Sequence, residues 1–249
     1  MIKISAVSYL NTFPFIFGLE NAGILHDVII EKDVPAICAQ KLIEGKVDIG
    51  LIPVAVFPLL NNAEIISDYC IGAIDKVKTV LLLSNQPLNK ISKIYLDFES
   101  RTSVQLVKVL AQNFWEIHPE WEKIMHEMPQ ILNDDEAVVL IGDKTFTATD
   151  HYPYIYDLAS EWKSFTNLPF VFACWVARKK LSENFLSDFN QSLKFGVTHI
   201  NETVAAYNNE IPLNVDATEY FTNNISYDLD DAKRKGMELF FNYLKTLKS

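Results

Sequence analysis

The chain has 249 residues, 49% of them hydrophobic and 12% aromatic, with a formal charge of −10. That length supports one large domain or two of roughly 100–150 residues, and the apolar content excludes a disordered, fibrous or low-complexity protein. A surface this acidic repels phosphate backbones and anionic headgroups, which argues against nucleic-acid and membrane partners but leaves room for a locally positive site that takes a small anion.

Ile2 to Val7 reads as a strand, and Ser8, Tyr9, Asn11 and Thr12 follow at once, before Pro14 opens a helix. Lys3, Ser5, Ser8, Asn11 and Thr12 interrupt every apolar run that could serve as a secretory leader. No segment approaches the ~18 apolar residues of a membrane span, so a soluble cytoplasmic protein is expected. Val28 to Glu31 is a second strand. Asp33 is placed to cap a helix over 34–44 that stops at Gly45, and VDIGLIPV at 47–54 has the pattern of a buried strand.

Val77 to Leu83 and KISKIYLDF at 90–98 read as further strands. Ser100 is placed to open a helix on which Val104, Val107, Leu110, Ala111 and Phe114 share a face. A short buried strand at 137–141 ends at Gly142-Asp143. A helix is expected over 156–165, a strand over 170–177, a helix capped by Ser182, and a closing amphipathic helix over roughly 229–247. Strands alternating with helices imply an α/β class with parallel sheet. With no linker in the chain, two lobes would be joined by strands crossing between them, 77–84 and 170–178. The first lobe is then discontinuous, 1–80 with 175–249, and residues 81–174 form the inserted second lobe.

In open parallel sheets ligands rest beyond the carboxyl ends of strands, against helix N-termini. Three segments share that position: Ser8 to Thr12, ESRTS at 99–103, and GDKT at 142–145. The ESRTS segment suits an anion, because a helix start offers free N–H groups and partial positive charge. Ser100, Thr102 and Ser103 add hydroxyls and Arg101 a cation. On the residues alone an ordinary serine cap with a solvated arginine is the commoner reading of the segment, and Asp143 reads either as a cap or as a ligand contact. Asn11 fits a helix cap, a left-handed turn or a contact, and Thr79 fits a plain strand position. The histidines are scattered, with His118 and His126 eight apart, so no metal set is read. Serine-hydrolase, dinucleotide and phosphate-loop signatures are absent from the sequence. Cys38, Cys70 and Cys174 are expected as reduced, buried thiols.

Several segments, in order along nearly the whole chain, resemble one family. They are SYLNTFP, EGKVDIGLIP, SRTSV, LIGDKTF and YDLASEWKSFTNLPFVFACWVAR. The family is chorismate dehydratase of the futalosine route to menaquinone. The resemblance implies a type 2 periplasmic-binding-protein-like fold, two lobes with a ligand cleft between them, no cofactor or metal, and chorismate, a dicarboxylate, as substrate. It implies Asn11 and Thr79 as catalytic residues, and Ser8, Tyr9, Thr12, Ser100, Arg101, Thr102, Ser103, Gly142 and Asp143 as substrate-binding. The implied product is 3-[(1-carboxyvinyl)oxy]benzoate, formed by loss of water and driven by aromatisation. One departure is Val56, where many relatives carry an acidic residue, so an essential base there is not expected. With no strong general base left, the substrate's own enolpyruvyl carboxylate is expected to take the ring proton. The competing readings are a non-catalytic binding protein of the same fold and the later dihydroxynaphthoate-forming enzyme of the same route, which has a different N-terminal element.

Overall fold

The computed structural model describes residues 1–97, 99–124 and 132–247. Phe98, at the end of one expected strand, and His126 lie outside them. The described strands are β1 (Ile2–Val7), β2 (Val28–Asp33), β3 (Ile49–Pro53), β4 (Glu64–Ala73), β5 (Val80–Ser84), β6 (Lys93–Leu96), β7 (Glu120–Lys123), β8 (Glu136–Ile141), β9 (Tyr154–Asp157), β10 (Phe170–Ala177) and β11 (Ser226–Asp228). They form two sheets with helices around them. The first has order β11-β4-β10-β3-β1-β2 and the second β7-β6-β8-β5-β9.

The all-parallel expectation is corrected. β1 runs parallel to β2 and β3, and β6 parallel to β7 and β8. However, β10 is antiparallel to β3 and β4, and β5 is antiparallel to β8 and β9. The reason is the route of the chain. β5 is entered from β4 of the other sheet, and β10 from β9 of the other sheet, so neither is reached by the crossover within one sheet that sets strands parallel. All of β10 from Phe170 onward pairs within the first sheet, so the chain is back there before residue 175.

Helix ends follow their caps in some places and not in others. Ser100 Oγ accepts from Ser103 N–H, opening helix Arg101–Asn113 as expected, and Ser182 Oγ accepts from Phe185 N–H. Asp33 does not cap helix Pro35–Ile43. Its carboxylate is taken by Lys41 Nζ at 2.6 Å and by Ser5 Oγ at 2.7 Å. Tyr156 belongs to β9, and the helix begins at Leu158, with Asp157 as its cap.

The core is aromatic around β10. Trp175 meets Phe15 and Phe189, while Trp162, Phe170 and Phe240 pack edge to face. The three cysteines are free and buried, and burial pushes Cys38 and Cys174 up to about 12. Helix Phe13–Asn21, which fixes the position of Asn11, lies on helix Glu183–Thr198 through glycine. A Cβ on Gly18 would stand 2.0 Å from Ser192 O, and one on Gly196 would stand 1.7 Å from Pro14 O. Backbones this close leave no room for any side chain.

Candidate functional site

A cavity lies where the strand ends of the two sheets face each other, with about 490 Å³ of empty space including its mouth. Its apolar walls come from both sheets, including Val7, Ile71 and Phe172 from the first and Val80 and Ile141 from the second. Its polar groups are Tyr9, Asn11, Thr79, Ser100, Thr102 and Ser103, with the Gly142 backbone beside them. Seven of the eleven site residues expected from the sequence thus share one cavity. Ser8, Thr12, Arg101 and Asp143 do not line it.

Each of those four has another place. Ser8 donates its backbone N–H to Asp33 O at 2.9 Å. Thr12 is fully buried and donates its hydroxyl to Asn11 Oδ1 at 3.0 Å, which orients the asparagine and leaves its amide N–H groups as donors. Arg101 is exposed and lines a neighbouring groove with Asp97 and Lys123. Asp143 does not cap the short helix after it. It accepts from Leu10 N–H at 3.2 and 3.1 Å, so the corner after β8 is tied to the turn after β1. Burial raises its pKa, and the Leu10 hydrogen bond offsets this only in part.

The hydroxyls at the helix start are not equivalent. Ser100 accepts Ser103 N–H, and its own proton is bonded to none of the described residues. No bond partner is seen for the Ser103 hydroxyl among the described residues. Helical geometry leaves the N–H groups of Arg101 and Thr102 without partners in the helix. Thr102 is committed. It donates to Phe172 O at 3.0 Å and accepts Ala55 N–H at 3.2 Å, fastening this helix to the segment after β3 and to β10.

Thr79 is presented by a strained turn. Lys78 has φ +64°, and Asp157 holds that conformation by accepting from Val77 and Lys78 N–H at 3.0 and 2.8 Å. Opposite it, Gly142 donates its N–H to Thr79 O at 3.0 Å. Gly142 has φ +71°, and a Cβ there would meet the Tyr9 ring at 3.0 Å, so only glycine lets Tyr9 lie flat on the corner. Tyr9 donates to Glu99 Oε2 at 2.9 Å, and burial and then Glu99 hold its phenol far above the usual tyrosine range. Lys144 pairs with Glu99 at 3.0 Å and with buried Asp97 at 2.6 Å. Burial works against its charge, but the two carboxylates outweigh it.

Two tyrosines behind the cavity wall carry no sequence signal that singles them out. Tyr220 OH lies 2.7 Å from Thr79 Oγ1, and Tyr227 OH donates to Asn11 O at 3.1 Å. They come from more than 140 residues beyond the residues they touch, in a segment that reads as ordinary aromatic core. Val56 is buried and offers no acid–base group. Among the described residues no set of three His, Cys, Asp or Glu side chains is placed to hold a metal, and no helix is long and apolar enough to cross a membrane.

Comparison with known proteins follows the same lines. A chorismate dehydratase of Thermus thermophilus is 24% identical over 257 residues, covering 91% of this chain and 94% of that protein. Among solved structures, a protein from Archaeoglobus fulgidus superposes with a TM-score of 0.73 at 15% identity, covering 98% of this chain and 97% of that one. A Candida albicans gene product with the generic periplasmic binding protein fold gives 0.60 at 12% identity, covering 100% and 91%. The periplasmic aliphatic sulphonate binding protein of Escherichia coli gives 0.57 at 12%, covering 100% and 94%. The fold is therefore periplasmic-binding-protein-like, α/β, with two mixed sheets and a cleft between two lobes. The family described as menaquinone biosynthesis matches residues 2–246, and the chain belongs to that family.

Proposed function

We propose that the chain is a hydro-lyase that removes water from chorismate to give 3-[(1-carboxyvinyl)oxy]benzoate. The observation that carries this reading is the content of the cavity: amide and hydroxyl donors at a helix start and across from it, and no carboxylate or histidine among its described lining residues. Such a site binds an anion and steadies developing negative charge, but it offers no strong base. The likeness to a protein named chorismate dehydratase supports the choice of substrate. In this reading Ser100, Ser103 and the free N–H groups of Arg101 and Thr102 hold the ring carboxylate. Asn11 and Thr79 face the departing hydroxyl, and the substrate's enolpyruvyl carboxylate takes the ring proton. The division of the chain is proposed with it: a second lobe inserted after residue 80 and ending just before Phe170. A cytoplasmic location is proposed for the same biosynthetic role.

An analogue whose enolpyruvyl carboxylate is replaced by a neutral group tests the mechanism. It is expected to bind, by calorimetry, and to stay intact. Its normal dehydration would overturn substrate assistance and return the search for a base to Asp143 and Asn11.

A further inference from the structure

We propose that Tyr220 is a positioning residue for this reaction, fixing the Thr79 hydroxyl as a donor into the cleft. The inference rests on the functional reading above and adds a residue outside the cavity lining. Tyr220 is 2% exposed and opens a π-helical turn, Tyr220–Asn224, a rare element found often at functional sites. The turn is fastened to the link between the two sheets, because Asn224 Nδ2 donates to Lys76 O at 3.2 Å. The Tyr220 ring is held edge-on by Phe146 at 5.3 Å.

The direction of the 2.7 Å bond follows from counting protons. A buried hydroxyl proton needs an acceptor, and Tyr220 has one such proton. Burial keeps it in place by raising the phenol far above its usual range, and the Thr79 hydrogen bond offsets this only in part. Among the described residues the only hydroxyl, carbonyl or carboxylate oxygen bonded to Tyr220 OH is Thr79 Oγ1. Tyr220 therefore donates to Thr79. The Thr79 proton then has a long contact of 3.4 Å to Val77 O, or a partner in the cleft.

In the reaction the ring C–H bond breaks and its electron pair becomes a ring double bond. The C–O bond breaks with its pair staying on oxygen. The proton taken by the substrate carboxylate ends on that oxygen, giving water. Thr79 lends a hydrogen bond to the leaving oxygen and keeps its proton.

The test is a kinetic double-mutant cycle with chorismate. Tyr220→Phe is expected to lower kcat about tenfold with KM changed less than about threefold, the size of one lost hydrogen bond. The same tenfold loss is expected in a Thr79→Ser background, which keeps the oxygen, and less than about twofold in Thr79→Val, which does not. Equal losses in all three backgrounds, or no loss in unmutated enzyme, would overturn the role. Should Tyr220→Phe fail to fold, 3,5-difluorotyrosine at position 220 keeps the ring and makes a stronger donor. A raised kcat is then expected, and an unchanged one overturns the proposal. No turnover of chorismate by the unmutated chain would overturn the functional reading and this inference with it, whereas turnover with additive losses overturns this inference alone.

Discussion

Ser100 and Ser103 sit three residues apart on one helix start, yet their substitution separates two effects. Ser100→Ala removes a cap and is expected to cost about 0.5–2 kcal/mol of stability as well as weakening the substrate. The Ser103 hydroxyl bonds to no described residue, so Ser103→Ala should leave the melting temperature within about a degree while raising Kd for chorismate about tenfold, one charge-assisted bond. Calorimetry and thermal melts on the two variants check the split. Asn11→Ala is expected to lower kcat about 10²–10³-fold, the usual cost of one donor to developing charge, and complete loss in a folded variant would make Asn11 the obligatory base. Thr102 behaves differently from its neighbours. Its hydroxyl partners, Ala55 and Phe172, lie 47 and 70 residues away, so nothing in SRTSV reveals that it ties elements together. Thr102→Val should destabilise by about 1–3 kcal/mol, because it strands a buried N–H and a buried carbonyl. The hydroxyl and amide character of the site was legible in the sequence, since a short motif after a strand carries it. Tyr220 and Tyr227 were not, because they arrive through tertiary packing.

At the scale of elements, the corner Ile141-Gly142-Asp143 against Tyr9-Leu10 sets the shape of the cavity. Gly142→Ala combines a left-handed backbone with contact against the Tyr9 ring and should cost roughly 1–3 kcal/mol, with Kd for chorismate raised in parallel. Asp143 gives a pH signature. Its folded pKa is raised by burial, so the neutral form is favoured in the fold. The contribution to stability is fully present below the unfolded value and is lost as pH rises through the folded one. Asp143→Asn keeps an oxygen for Leu10 N–H and removes the buried charge. Its melting temperature relative to the unmutated protein should be higher at pH 7, and the gap should close as pH falls toward 4. A gap that widens on acidification would contradict the burial argument. Caps at Ser100 and Ser182 were readable because the capping residue is adjacent in sequence to the helix it starts. Asp33 was not, because Lys41 and Ser5 compete for its carboxylate and win.

For the molecule as a whole, the alternation of strands and helices revealed the α/β class, and the family resemblance supplied the periplasmic-binding-protein-like fold. The antiparallel course of β5 and β10 was hidden, because a buried strand reads the same in either direction. The strands β4, β7, β9 and β11 escaped the pattern as well, three of them only three or four residues long. The lobes meet through Tyr9 on Glu99, Leu10 on Asp143, and Thr102 on Ala55 and Phe172, so the cavity is assembled only when they are together. The central claim is that this assembled cavity dehydrates chorismate, and it is tested most directly by incubating the purified chain with chorismate and following the products by mass and ultraviolet absorbance. The account predicts catalytic conversion to a benzoate lighter than chorismate by one water. Chorismate that binds by calorimetry but is recovered intact would contradict it, and would leave a protein that holds the anion without changing it.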